Sequence, residues 1–270
     1  LPRDLADVLH YFMPELARPD EETSAPPEPN VHPPKAEAPA DDLLPLATVP
    51  VADSDLVRAG LVASLADEVT GLGGRSIILT PDTPNARAMF AGGGGNSETT
   101  RIEVLDAHSI HELAAAAVDR ASALKEDEAI DGVVIARVPP AWLEGDEVPG
   151  ELFDWLLLFT STHERNLVDA YSLAARVLRE NPEAEIGVTV HGAAARREGE
   201  AAFGLLARSV EQHLGRSVAN YGLLLEDLDI YRSLAAGQAI GRAHPDSPAN
   251  VSLREAAKLV FERARKTAFH

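Results

Sequence analysis

The stretch Ala52-Asp53-Ser54-Asp55-Leu56-Val57-Arg58-Ala59-Gly60 follows a short apolar run, Leu46 to Val51, and leads into the helical pattern Leu61-Val62-Ala63-Ser64-Leu65-Ala66. A strand–loop–helix junction of this kind is where an α/β protein can bind phosphate. That chemistry needs glycines, so that backbone N–H groups approach the phosphate oxygens, together with a lysine and a Ser or Thr hydroxyl for Mg²⁺. Here there is one glycine, at the far end, and Asp53 and Asp55 stand where a polyphosphate would lie. Two carboxylates repel such a ligand. The architecture of a phosphate site is kept and its chemistry removed. No G-x-x-x-x-G-K-[ST] occurs elsewhere, and Gly92-Gly93-Gly94-Gly95 is not followed by lysine.

Other reactive side chains form no complete constellation. His108 and His111 lie three apart with Asp106 close by, but a metal would need further ligands from elsewhere, so surface or capping roles are expected and no metal site is assigned. His163 and Glu164 fall on the turn after a strand, without an evident nucleophile to serve. Ser161 is not in a G-x-S-x-G setting. The chain has no cysteine, which removes disulfides and thiolate chemistry and fits a cytoplasmic location.

Positioning these groups requires a sheet with helices. The 270 residues, 45% of them hydrophobic, suffice for one large domain. A net charge of −19 argues against nucleic acid or an anionic membrane as partner. No apolar run long enough to span a bilayer and no secretory signal is visible. The chain opens on Leu rather than Met, which leaves open that the natural N-terminus lies upstream.

Three regions are expected. Residues 1–17 read as an amphipathic helix, with Leu5, Val8, Leu9, Phe12 and Met13 at helical spacing. Residues 18–45 set Arg18 and Lys35 against seven acids among many prolines, the composition of a disordered linker. The helix is therefore expected to dock a protein partner through its apolar face; the alternative is that it packs back on its own domain. From residue 46 to 270, strands at 46–51, 76–80, 102–105, 132–138, 155–160, 186–191 and 220–224 alternate with helices at 55–72, 109–125, 166–181, 194–214, 228–236 and 252–267. Strand runs without polar alternation indicate burial on both faces. The fold class is α/β: a doubly wound, mostly parallel sheet with helices on both faces, preceded by the tethered helix. In the last helix Leu253, Ala256, Ala257, Val260, Phe261 and Ala264 form a core-facing stripe, leaving Arg254, Lys258, Arg263, Arg265 and Lys266 on a solvated face rather than on a membrane.

The C-terminal half carries a pattern beyond the fold class. Leu157-Leu158-Phe159-Thr160-Ser161-Thr162-His163-Glu164 leads into Asn166-Leu167-Val168-Asp169-Ala170-Tyr171, and Ile186-Gly187-Val188-Thr189-Val190-His191 forms the next strand. Leu214-Gly215, Tyr221-Gly222, Asp227, Ile230 and Gly237 follow, then Pro245-Asp246-Ser247-Pro248-Ala249. In order and spacing, over about residues 154–262, this resembles the MinD/ParA family of P-loop ATPases, nearest its flagellar and pole-organising MinD-like branch. Anchored at Leu72-Gly73, the resemblance puts Arg58 at the phosphate-loop lysine, Ala59 at the Mg²⁺-binding Ser/Thr and Asp53 at the signature lysine that reaches across the dimer. Thr80 falls on the first acid of the second strand's end, with Asp82 matching the second. Ala136 replaces the terminal acid of the Asp131–Ala136 strand, and His191 replaces the asparagine that reads the base.

The resemblance therefore implies a degenerate nucleotide site at Asp53, Asp55, Arg58, Ala59, Thr80, Ala136 and His191, with no bound cofactor. It implies a non-catalytic scaffold or regulatory protein of bacterial spatial organisation, acting through a protein partner and possible homodimerisation. An atypical ATPase cycling between monomer and ATP-bound dimer is the alternative, and a small-molecule enzyme using His163 or His191 as acid/base is a third reading.

Overall fold

The computed structural model describes residues 43–86, 100–127, 131–145 and 148–268. Strands β1 (Leu46–Pro50), β2 (Arg75–Pro81), β3 (Thr100–Leu105), β4 (Gly132–Val138), β5 (Trp155–Ser161), β6 (Glu185–Ala193) and β7 (Ala219–Leu225) form a sheet ordered β3-β2-β4-β1-β5-β6-β7. Every ladder is parallel, so the C-terminal ends of all seven strands share one edge. The central strands are buried along nearly their whole length. That is why their sequences run apolar instead of alternating.

Helices α1 (Leu56–Gly71), α2 (Ile110–Asp127), α3 (Glu164–Glu180), α4 (Arg196–Leu214), α5 (Leu228–Ala236), α6 (Ile240–Ala243) and α7 (Pro248–Ala268) cover both faces. One core joins α2, α3 and α4 to the sheet through Leu113, Ala117, Leu156, Leu158, Tyr171, Val188 and Leu206. The other joins α1, α5, α6 and α7 through Leu61, Leu65, Ile78, Ile135, Phe159, Ile240 and Leu253. The doubly wound arrangement expected from the alternation of elements is present, and the sheet is wholly parallel among the described residues.

Helix ends follow local chemistry. Ser109 accepts the Glu112 N–H at 3.2 Å, as a capping box requires, while Glu112 Oε2 accepts the N–H of His108, one residue before the cap, at 2.7 Å. α3 stops at Asn181, before Pro182. α7 begins at Pro248, a full turn before the expected residue 252. Pro fits the first helical position, and Ser247 Oγ accepts the Asn250 N–H at 3.1 Å, so the turn-like Pro-Asp-Ser-Pro is the helix start itself. The apolar stripe of α7 faces the core: Leu253, Ala256, Ala257, Val260 and Ala264 are buried, and its cations Arg254, Arg263 and Arg265 pair with Glu68, Glu185 and Asp131. No helix among the described residues is long and apolar enough to cross a membrane.

Candidate functional site

β1 lies between β4 and β5, the point where the winding changes direction, and its C-terminal end opens on the loop 51–55. Ligands of doubly wound folds bind at such switch points. Here the loop is held from inside. Arg137, next to last in β4, is fully buried. Its Nε donates to the Val51 carbonyl at 2.9 Å, Nη1 to Thr80 Oγ1 at 3.3 Å and Thr83 Oγ1 at 3.2 Å, and Nη2 to Asp53 Oδ1, closing an ion pair. Thr83 Oγ1 also donates to Asp53 Oδ1 at 2.7 Å. A buried cation is tolerated when it is paired and its N–H groups find acceptors, and Arg137 meets both conditions.

Asp55 and Arg58 face a second set of groups. Asp55 caps α1, accepting the Arg58 N–H at 2.9 Å, and its other oxygen lies 3.4 Å from Arg58 Nε. Arg58 Nε and His191 Nε2 are both buried without a hydrogen-bond partner. Burial pushes the His191 imidazole down to about 4; the nearby Arg58 cation acts in the same direction, Asp55 opposes it and His163 adds slightly. His191 is therefore neutral near pH 7. On the adjoining strand its register partner Ser161 accepts the Asn166 side-chain amide at 2.6 Å and the His163 N–H at 3.3 Å.

Five of the seven residues expected at the degenerate site thus gather at one edge of the sheet, in two sets. Asp53 and Thr80 join around Arg137, while Asp55, Arg58 and His191 meet beside β6. Ala136 pairs with Thr48 and Leu79 inside the sheet, one residue before Arg137, and Ala59 is buried in the first turn of α1. Sequence reasoning missed Arg137 and Thr83. The signal for Arg137 was present: one cation inside the apolar run Val133-Val134-Ile135-Ala136-Arg137-Val138. His108 is exposed, 3.1 Å from Asp106, and no metal-binding group of three or more His, Asp or Glu occurs among the described residues. The expected partner-binding residues Leu5, Val8, Leu9, Phe12 and Met13 lie outside the described residues, as do Gly92 to Gly95.

No protein family matches the chain by sequence, and no curated protein matches it. Solved structures do match by fold. A chain of the MinC:MinD cell division protein complex of Aquifex aeolicus superposes with a TM-score of 0.59 at 12% identity, covering 81% of this chain and 96% of that one. The cell division ATPase MinD of Pyrococcus furiosus gives 0.52 at 15% identity, over 82% and 100%. The septum site-determining protein MinD of Pyrococcus horikoshii, complexed with Mg-ADP, gives 0.50 at 14% identity, over 83% and 98%. The described domain therefore has the P-loop NTPase-like α/β fold of MinD-type proteins.

Proposed function

We propose that the chain is a non-catalytic member of the MinD/ParA group that works by binding proteins. In this reading it is a scaffold or regulatory protein of bacterial spatial organisation, in polar or flagellar positioning or chromosome segregation, that docks a partner through residues 2–17 and is able to pair with a second copy. The flagellar and pole-organising branch is the nearest by sequence pattern. The observation that carries the reading is the Arg137–Asp53 pair. At the loop where the relatives' fold would place phosphates, this chain sets a carboxylate and neutralises it with its own buried guanidinium. A polyphosphate entering there would meet Asp53, and the Arg137 cation is already engaged by four acceptors. Ala59 and Ala136, which the resemblance puts at the positions of the magnesium ligands, offer no side-chain oxygen to a metal.

The atypical-ATPase reading rests on one contrary observation, that Arg58 Nε in the first turn of α1 has no hydrogen-bond partner. Calorimetry with Mg-ATP separates the two. No heat of binding at millimolar nucleotide is expected. A micromolar dissociation constant, with turnover abolished by Arg58→Ala, would replace the scaffold reading by the ATPase one.

A further inference from the structure

Three large apolar side chains stand exposed at the N-terminal ends of neighbouring helices: Leu56 at 57%, Leu228 at 65% and Tyr231 at 49%. Their proximity follows from how α1 and α5–α6 pack. A Cβ on Gly60 would lie 1.8 Å from Leu234 Cδ2, Ser64 Oγ accepts the Ile240 N–H at 3.2 Å, and Asp67 pairs with Arg242 at 2.8 Å. The two stretches run side by side in the same sense, so one turn before Gly60 places Leu56 level with the first turn of α5. On α5, Leu228, Tyr231 and the exposed Ala235 recur at i, i+3 and i+7, which is one face of a helix. The result is an apolar strip along α5, extended sideways by Leu56.

We infer that this strip is covered by the chain's own residues 2–17, seated along α5 as an autoinhibitory contact. Leu5, Val8 and Phe12 have the same i, i+3, i+7 spacing as Leu228, Tyr231 and Ala235, so the two apolar faces match over about 10 Å of helix. Leu9 and Met13 lie beside that row and would meet Leu56. A helix of this length is marginal alone in water and gains stability from an apolar surface. The tether suffices. The described chain begins at Leu43, just before β1, and the 25 residues 18–42 span roughly 28 Å as a random coil. The five residues of β1 rise about 17 Å towards the edge where α1 starts. Residues 18–42, rich in Pro and acids, serve as spacer.

The inference rests on the docking-helix reading and adds its regulation: a partner competes with the α5 strip for the same apolar face, so capture frees Leu56, Leu228 and Tyr231 as the helix leaves. It is tested without a partner, and its failure leaves partner capture to be judged separately by pull-down. In hydrogen exchange on the full chain, amides of residues 5–13 should be protected, and Leu228→Asp with Tyr231→Asp should speed their exchange by about tenfold or more while β1 and β4 are unaffected. Both substituted side chains are solvent-exposed, so the domain should fold. The chain has no cysteine of its own. Phe12→Cys with Tyr231→Cys should therefore give an intramolecular disulfide on mild oxidation, whereas Phe12→Cys with Glu200→Cys, exposed on α4 across the sheet, should not. Unprotected exchange at 5–13, protection indifferent to the α5 substitutions, or a disulfide found mainly between chains would each overturn the inference, the last assigning the strip to a second copy.

Discussion

Asp53 and Arg137, 84 residues apart in sequence, form an ion pair that joins the loop after β1 to the end of β4. The two partners are unequally placed. Arg137 has no exposed side-chain surface, whereas about a third of Asp53 is open to solvent at 34%. The guanidinium therefore depends on the pair more than the carboxylate does. Thr80 and Thr83 complete the arrangement, and Thr83 also donates to Asp53, so the segment after β2 is tied into the same knot.

This asymmetry predicts an asymmetric mutant series. Asp53→Ala leaves a buried cation with only neutral acceptors and should cost on the order of 3 kcal/mol, the lower end for an uncompensated buried charge because Asp53 is partly solvated. Arg137→Met removes the cation and leaves Asp53 with solvent and Thr83, so its cost should be clearly smaller. Combining the two should recover part of the Asp53→Ala loss, a non-additivity of about 1–2 kcal/mol. Urea denaturation of the four proteins measures it; strict additivity would show that the pair contributes nothing specific.

The fold could be read from sequence because burial on both faces leaves a plain mark. Runs such as Val133–Ala136 and Leu156–Phe159 are apolar without alternation, and every strand and long helix was found within a few residues of its observed bounds. The start of α7 was missed because Ser247-Pro248 reads equally as a turn and as a helix cap, and only the packing that buries Ala249 and Leu253 decides between them. At the candidate site, local sequence gave the carboxylates but not their neutralisation. Asp53 alone suggests repulsion; that Arg137 answers it depends on β4 lying beside β1 in the sheet, which no window of sequence contains. The α5 strip was equally hidden, because its fourth member, Leu56, comes from another helix.

His191 should make stability pH-dependent in a narrow window. Its folded pKa, about 4, lies below the ordinary 6.5, so between those values the unfolded chain binds more protons than the folded one. Stability from this group is therefore fully present above pH 6.5 and is lost as pH falls towards 4. The loss is about 3 kcal/mol at most. Burial sets most of it; Arg58 on α1 and His163 before α3 lower it further, and Asp55 at the cap of α1 opposes them. His191→Gln should flatten the slope of unfolding free energy between pH 6.5 and 4.5, above the range where carboxylates dominate. An unchanged slope would mean that folding does not lower the His191 pKa.

Limited proteolysis should cut first between Arg18 and Lys35. This stretch combines dense proline with net acidity and lacks the apolar content to bury a core. Cleavage there should release a product that keeps the melting temperature of the parent to within about 2 °C, since the described residues from Leu44 onward supply two extensive apolar cores of their own. Earlier cleavage within 46–268 would show that the boundaries are misplaced.

The docking role of residues 2–17 is open to a direct test by Leu9→Asp with Phe12→Asp. Both residues lie on the apolar face of the expected helix, and two carboxylates there oppose its burial against any surface. Proteins that co-purify with the intact chain and are identified by mass should be lost from the variant. The melting temperature should fall by no more than about 2 °C. A contact with an exposed surface strip adds little beside the two cores of the described residues, and surface changes usually alter stability by less than about 0.5 kcal/mol. Two other results would redirect the reading. Retained capture with an unchanged melting temperature would move partner binding to the domain itself. A fall of many degrees would make residues 2–17 an integral layer of the fold, in which case the tether carries a structural element and not a signal.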